Sequence, residues 1–362
     1  MKKLYFVVDW DSPRERTWSG TVFGLYSSLK RHFLLHEVHV NLKGIIFRRI
    51  LQKLKYLKND LSLNCIKRER KRLTKRNLDK DSIILQFAEV FESQEYPNNY
   101  IYQDLSASYL LYLSHTSPHI FQYSGFAGVS NDAISKRAEE QYEYYKSCNG
   151  IFTMGEWLRC DLINRIGIPS DKVHCVGGGI NVDRNLILPK KKSNNKILFI
   201  GRDFKRKGGH LVYDAFCELL KIQPDVELHV AGPKYNPISN PVAGFFYYGD
   251  SNHSTLSELL NKCDIFCMPS YFEAYGLVFI EALCYGLPCI GRKCFEMPYF
   301  IEDGITGLLI EEDNVQNLAD CMHRLLHDTK IKDEVVKRRN FYIDRYSWDS
   351  VTDRMRKVIM GE

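Results

Sequence analysis

Nowhere in the 362 residues does an apolar run approach the ~18 that a membrane-spanning helix needs, which excludes a transmembrane segment. The first eight residues carry two lysines and a short apolar run that meets Asp9 too soon for a secretory signal. Eleven cysteines are present, an odd number, and none shows the paired spacing of a zinc knuckle; Cys263 and Cys267 lie on one strand-like run. They read as buried thiols of a reducing compartment, which makes the expected location cytoplasmic. No internal repeat and no long low-complexity tract appear. The excess positive charge comes with no recognition module, and nucleic acid is not an expected partner.

At 362 residues the chain is too long for one ordinary core, and two domains are expected. The net charge of +6 is unevenly spread. Much of the excess falls in residues 43–80, which hold 14 basic and 3 acidic residues. Within that stretch Ile46, Phe47, Ile50, Leu51, Leu54 and Leu57 recur at helical spacing among Arg48, Arg49, Lys53, Lys55 and Lys58. Two readings stand: a helix lying on an anionic membrane surface, peripheral to the inner face of the cell membrane, or an ordinary docked helix with a solvated basic face.

Strand and helix patterns alternate twice over. Strands are expected at 4–8, 37–40, 82–87, 100–103, 120–123, 151–154 and 173–176, then at 196–200, 226–231, 265–268, 288–290 and 307–310. That is the pattern of an α/β protein with two doubly wound parallel sheets. Residues 1–184 form the first Rossmann-like domain, the polar stretch 185–195 the linker and 196–340 the second domain. Ligands bind such sheets at the carboxyl ends of strands, and two domains facing each other would place the site in a cleft.

The densest chemistry lies in Phe272-Glu273-Ala274-Tyr275-Gly276-Leu277 and the apolar helix that follows, which ends at Gly286-Leu287-Pro288. Glu273 and Glu281 are eight residues apart, a little over two helical turns, so Glu281 projects below the loop carrying Glu273. Gly276 lets the chain approach a ligand, and the first helical turn offers unpaired N–H groups to an anion. Two carboxylates flanking an anion hole suit a nucleoside diphosphate-sugar, with hydroxyls on the acids and phosphates on the helix start.

A second phosphate site follows the strand Lys196-Ile197-Leu198-Phe199-Ile200. It is the basic, Gly-rich turn Gly201-Arg202-Asp203-Phe204-Lys205-Arg206-Lys207-Gly208-Gly209, which enters a helix. Arg202 and Lys207 neutralise a diphosphate and stabilise it as a leaving group; Lys205 and Arg206 read as solvation of the sheet edge. In the first half, Gly20 in Trp18-Ser19-Gly20-Thr21 can bring backbone N–H groups to a phosphate or acceptor. Asp9-Trp10-Asp11 invites a metal reading, but it follows the very first strand, and its aspartates read as loop-shaping.

The Glu273–Glu281 segment, with Asp264-Ile265-Phe266-Cys267-Met268-Pro269-Ser270 before it and Gly304-Ile305-Thr306-Gly307-Leu308 after it, closely resembles the Glu-(seven residues)-Glu motif of retaining glycosyltransferases with the GT-B fold, especially glycosyltransferase family 4. The resemblance covers most of 150–355 and only patches of 1–150. It implies that Glu281 binds ribose hydroxyls and Glu273 donor-sugar hydroxyls, and that Arg202, Lys207 and the amides around Gly276 and Leu277 hold the diphosphate. Gly20 matches the family's glycine loop. The family's His-Asp pair appears here as Gln103-Asp104, so Asp104 keeps a role in orienting donor or acceptor, while Gln103 cannot transfer a proton. Arg345-Tyr346-Ser347-Trp348 resembles the word that starts the last helix, implying that 341–362 packs back on the first domain. The implied reaction is front-face transfer of a hexosyl group from a UDP-, GDP- or ADP-sugar, with no metal and no further cofactor. The basic first half and the Lys/Asn/Ile-rich composition make the expected acceptor a glycan or polyprenyl-linked sugar of bacterial surface polysaccharide synthesis. A GT-B nucleotide-sugar epimerase and a non-catalytic transferase-like partner subunit are the alternatives.

Overall fold

The computed structural model describes residues 1–42, 63–73, 78–92, 95–189 and 195–362. The apolar-basic pattern at Ile46–Leu57 lies outside them. The chain forms two compact units, Met1–Gly179 with Trp348–Glu362, and Ile180–Ser347.

The first unit carries β1 (Lys3–Val8), β2 (Leu34–His39), β3 (Ile83–Gln86), β4 (Asn99–Gln103), β5 (Gly150–Thr153) and β6 (Val173–Cys175) in one sheet, ordered β2-β1-β3-β4-β5-β6. The second carries β7 (Lys196–Ile200), β8 (Glu227–Ala231), β9 (Phe245–Tyr247), β10 (Ile265–Cys267), β11 (Cys289–Arg292) and β12 (Gly307–Ile310), ordered β12-β11-β10-β7-β8-β9. All pairings are parallel. Parallel sheets are covered on both faces, so their strands read as continuous apolar runs; β10 is buried throughout, and β7 along Ile197-Leu198-Phe199. In the second unit the helices Gly209–Leu220 and Val315–His327 pack together. They bury Leu211, Val212, Ala215, Phe216 and Leu219 on one and Leu318, Met322, Leu325 and Leu326 on the other, at helical spacing.

Strand order reverses between β1 and β3 and again between β7 and β10. At such a reversal the connections leave in opposite directions and open a crevice at the carboxyl ends of the strands. In the second unit, Ile197 pairs with Ile265 and Leu198 with Phe266. The loops after β7 and β10 therefore emerge side by side.

Four elements differ from the sequence pattern. Residues 120–123 form no strand: Ser117 accepts the Ile120 and Phe121 N–H groups, and Pro118 starts the short helix Pro118–Phe121. Strand β9 is a three-residue edge with none of its residues fully buried, too short and too exposed to register as apolar periodicity. The crossings between units fall at Gly179–Ile180 and Ser347–Trp348, so the described part of 185–195 belongs to the second unit. Segment 341–362 is broken at Tyr346-Ser347: the helix Arg339–Arg345 stays with the second unit, and Trp348–Met360 joins the first. There it buries Val351, Thr352 and Met355, and Ser28 donates to Asp349 at 2.7 Å.

Part of the basic stretch is described, as the helix Leu63–Leu73. Arg68, Arg70 and Arg72 donate to the carbonyls of Asn41, Glu89 and His39 at 2.6–2.8 Å, and Lys67 pairs with Glu140 at 2.6 Å. These bonds spend that helix's charge within the first unit. Among the described residues no helix is long and apolar enough to cross a membrane.

Candidate active site

Two loops meet at the β7/β10 reversal, and backbone chemistry latches them. The Arg206 carbonyl accepts the Tyr271 N–H at 3.0 Å, with Ser270 Oγ 3.3 Å away. The Arg206 guanidinium returns the contact by donating to the Phe272 carbonyl. Gly208, at φ +77, sits so close to the Pro269 carbonyl that a Cβ would lie 2.6 Å from its oxygen. Only glycine fits that crossing.

The latch carries an acid to two cations. Lys207 Nζ and Arg206 Nη1 each lie 3.3 Å from Glu273 Oε2, and the Lys207 and Glu273 side chains are both only 14% exposed. Burial pushes the Glu273 carboxyl up, but Lys207 and Arg206 outweigh it and hold the group below the ordinary carboxylate range. Glu273 is thus an anion at neutral pH, able to accept hydroxyls and unable to donate.

Gly276 turns the chain from this loop into the helix Leu277–Cys284 at φ +93, ψ 55, and no side chain caps the helix start. A Cβ there would press to 3.0 Å on Glu273 Cγ, so the glycine also seats the acid. Glu281 lies on the same helix and accepts the Asn181 N–H at 3.5 Å. Burial pushes its carboxyl up, and the Asn181 N–H opposes this only in part. The two acids therefore differ in kind: Glu273 is held ionised by adjacent cations, while Glu281, half-buried, is dominated by desolvation that the Asn181 N–H and the more distant His253 and Lys207 only partly oppose.

Lys207, Glu273, Gly276, Leu277 and Glu281 are thus placed on adjoining elements of one unit. Arg202 follows β7 as expected but reaches outward, 70% exposed, with Asp250 at 3.5 Å. Arg206 reverses its expected role: it is the second cation on Glu273 and part of the latch. In a run of basic residues nothing local ranks one above another; the loop after β10 chooses.

In the first unit, Gly20 caps the helix Thr21–Leu29 after β1, and Asp104 follows β4. Gln103 is committed to a buried network, its Nε2 3.3 Å from Glu89 Oε1 and its Oε1 accepting the Tyr145 hydroxyl. Glu89 is itself ion-paired with Arg137 and accepts Gln141 Nε2 at 2.8 Å. Gln103 thus bridges Glu89 and Tyr145. Asp9 accepts the Leu42 N–H at 3.0 Å, which pins the loops beside β1.

Residues 185–342 match the family model described as glycosyl transferases group 1. An uncharacterized 41.2 kDa protein in the cps region of Klebsiella pneumoniae is 29% identical over 174 residues, covering 43% of this chain and 46% of its own. The chain spans about half the length of the curated relatives it matches. Two solved structures share the fold: WaaG, a glycosyltransferase involved in lipopolysaccharide biosynthesis, at TM-score 0.68 and 15% identity over 99% of this chain and 100% of that one, and HepE of Anabaena, solved with UDP and glucose, at 0.62 and 12% over the whole of both. The two doubly wound sheets are those of a GT-B fold, and residues 185–342 carry the similarity to the glycosyl transferases group 1 family.

Proposed function

We propose that this protein is a retaining glycosyltransferase that moves a hexosyl group from a nucleoside diphosphate-sugar to a hydroxyl of a glycan or lipid-linked acceptor. The observation that carries the reading is the Lys207–Glu273 pair beside an uncapped helix start at a sheet reversal. Its parts match the parts of a nucleotide-sugar: an anion for sugar hydroxyls, a cation and free N–H groups for a diphosphate, and a second acid for ribose.

In this reading Glu273 accepts donor-sugar hydroxyls while Lys207, Arg202 and the Gly276 and Leu277 amides take the diphosphate. Glu281 accepts the ribose hydroxyls, which add closer partners than the Asn181 N–H at 3.5 Å. The sugar–phosphate bond breaks as the acceptor oxygen bonds to the anomeric carbon on the same face, and the acceptor proton passes to the leaving phosphate oxygen. The cations stabilise the charge that grows on that leaving group, so no divalent metal is required. Asp104 orients donor or acceptor, and Gly20 brings backbone N–H groups to the reacting phosphate or the acceptor. A role in surface polysaccharide synthesis is supported by the likeness to WaaG, a glycosyltransferase involved in lipopolysaccharide biosynthesis, and to the Klebsiella protein of the cps region.

Thermal shift with UDP-, GDP- and ADP-sugars, with and without EDTA, tests the reading. One base should raise the melting temperature by several degrees, the chelator should leave that shift intact, and Lys207→Ala should weaken donor affinity about 10–100-fold, as expected for a lost charge-assisted contact of ~1.5–3 kcal/mol. No response to any donor would overturn the proposal; conversion of the donor to an epimer without acceptor would replace it with the epimerase reading.

A further inference from the structure

A second place in the molecule is built for a ligand: the loop between β1 and the helix Thr21–Leu29. Trp18 has φ 48, ψ 48, Ser19 has φ 56, ψ 33, and Gly20 has φ 93. Three consecutive left-handed residues are uncommon, and a bulky aromatic in that region is an outlier that the surroundings must hold in place. Here the surroundings do so. Thr17, buried, accepts the Asp11 N–H at 2.8 Å on one side, and the Trp18 carbonyl accepts the Thr21 N–H on the other.

What this strain achieves is not burial. Trp18 is left 43% exposed. It stands edge-on to Phe87, the residue that follows β3, with ring centroids 5.2 Å apart and planes at 73°. Phe87 in turn packs against the fully buried rings of Phe6 and Tyr102. The indole is therefore braced from behind by an aromatic wall while much of its surface faces solvent. Its position is the other strand-order reversal, at the carboxyl ends of β1 and β3.

We infer that the Trp18 indole is the platform on which a pyranose ring of the acceptor saccharide stacks. This rests on the transferase reading. A flat, rigid, apolar surface with few torsions complements the C–H face of a sugar ring and leaves the ring's hydroxyls at the rim to polar partners. Pre-organisation by Thr17 and Phe87 lowers the cost of ordering the platform when the sugar arrives. A loop that only closed the fold would turn its tryptophan inward and use glycine or asparagine where the backbone is left-handed.

The test uses methyl glycosides of glucose, galactose, mannose and N-acetylglucosamine as probes, with saturation-transfer NMR and indole ¹⁵N resonances as readouts. The chain has four tryptophans, and Trp18→Asn identifies the signal of Trp18 by its loss. Asparagine tolerates the left-handed region, so this variant removes the ring without breaking the turn. At least one glycoside should move the Trp18 indole signal and receive saturation on one ring face. Trp18→Asn should weaken that glycoside at least tenfold, with an unchanged nucleotide-induced thermal shift and a melting temperature no lower than wild type. The inference is overturned if no glycoside moves the Trp18 signal, if Trp18→Asn binds the same glycoside as well as wild type, or if the variant loses thermal stability and nucleotide response together. A protein that binds glycosides at Trp18 yet responds to no nucleotide-sugar would sink the transferase reading and leave the platform standing.

Discussion

Two glutamates on one short segment experience opposite electrostatics, and their stability effects should therefore differ in sign. Glu273 is held ionised: its folded carboxyl lies below its ordinary value because Lys207 and Arg206 overcome burial. Its contribution is present above the ordinary carboxylate pKa and is lost as pH falls through the lowered one. Glu273→Gln should lower the melting temperature at pH 7, by an amount that shrinks on acidification. Glu281 is raised by burial, so its ionisation opposes folding once pH exceeds the ordinary carboxylate value, and does so in full above the raised one. Glu281→Gln should raise the melting temperature at pH 7, the gain vanishing at acid pH, while nucleotide affinity falls. Thermal melts of both variants from pH 3 to 8 check this; shifts of the same sign would contradict the arrangement of charges. A site that trades stability for ligand binding shows that signature.

At the scale of elements, the latch between the loops after β7 and β10 is what turns separate motifs into a site. Gly208→Ala places a methyl against the Pro269 carbonyl at a left-handed position. It should cost about 1–3 kcal/mol, as local backbone strain generally does, and reduce the nucleotide-induced shift by displacing Lys207 from Glu273. Equal stability and an unchanged shift in calorimetry would show that the crossing can yield. The elements that carry this latch were the legible ones. Strand β7 matches its expected boundaries and β10 ends one residue short of them, because covered parallel strands are apolar runs, and the helix after Gly276 is framed by glycine at one end and Gly-Leu-Pro at the other. Residues 120–123 and β9 were not legible, because a short apolar run carries no period that separates strand from helical turn.

At the scale of the whole molecule, the chain leaves its first unit at Gly179 and returns to it at Trp348. The final helix is part of that unit's core: Val351 and Met355 are fully buried, and each such side chain contributes about 1.5–3 kcal/mol. A chain ending at Ser347 should lose several kcal/mol from the first unit, a large share of a domain's total. Its melt should split, with an early transition that ignores nucleotide and a later one that nucleotide raises. A single unchanged transition would show that the helix adds little.

Taken by itself, the amino-acid order determined the class of fold and placed Glu273, Glu281, Lys207 and Gly276 on their loops and helix, because burial patterns, turn residues and short motifs are local properties that a strand or helix start expresses wherever it lies. Tertiary structure alone decided which cation meets Glu273, why Gln103 is a bridge between Glu89 and Tyr145, and why Trp18 is held out at the end of β1. Each of those depends on a contact between residues far apart in the chain, such as Arg206 with Phe272 or Trp18 with Phe87, and contacts of that kind exist only once parallel strands have been brought side by side.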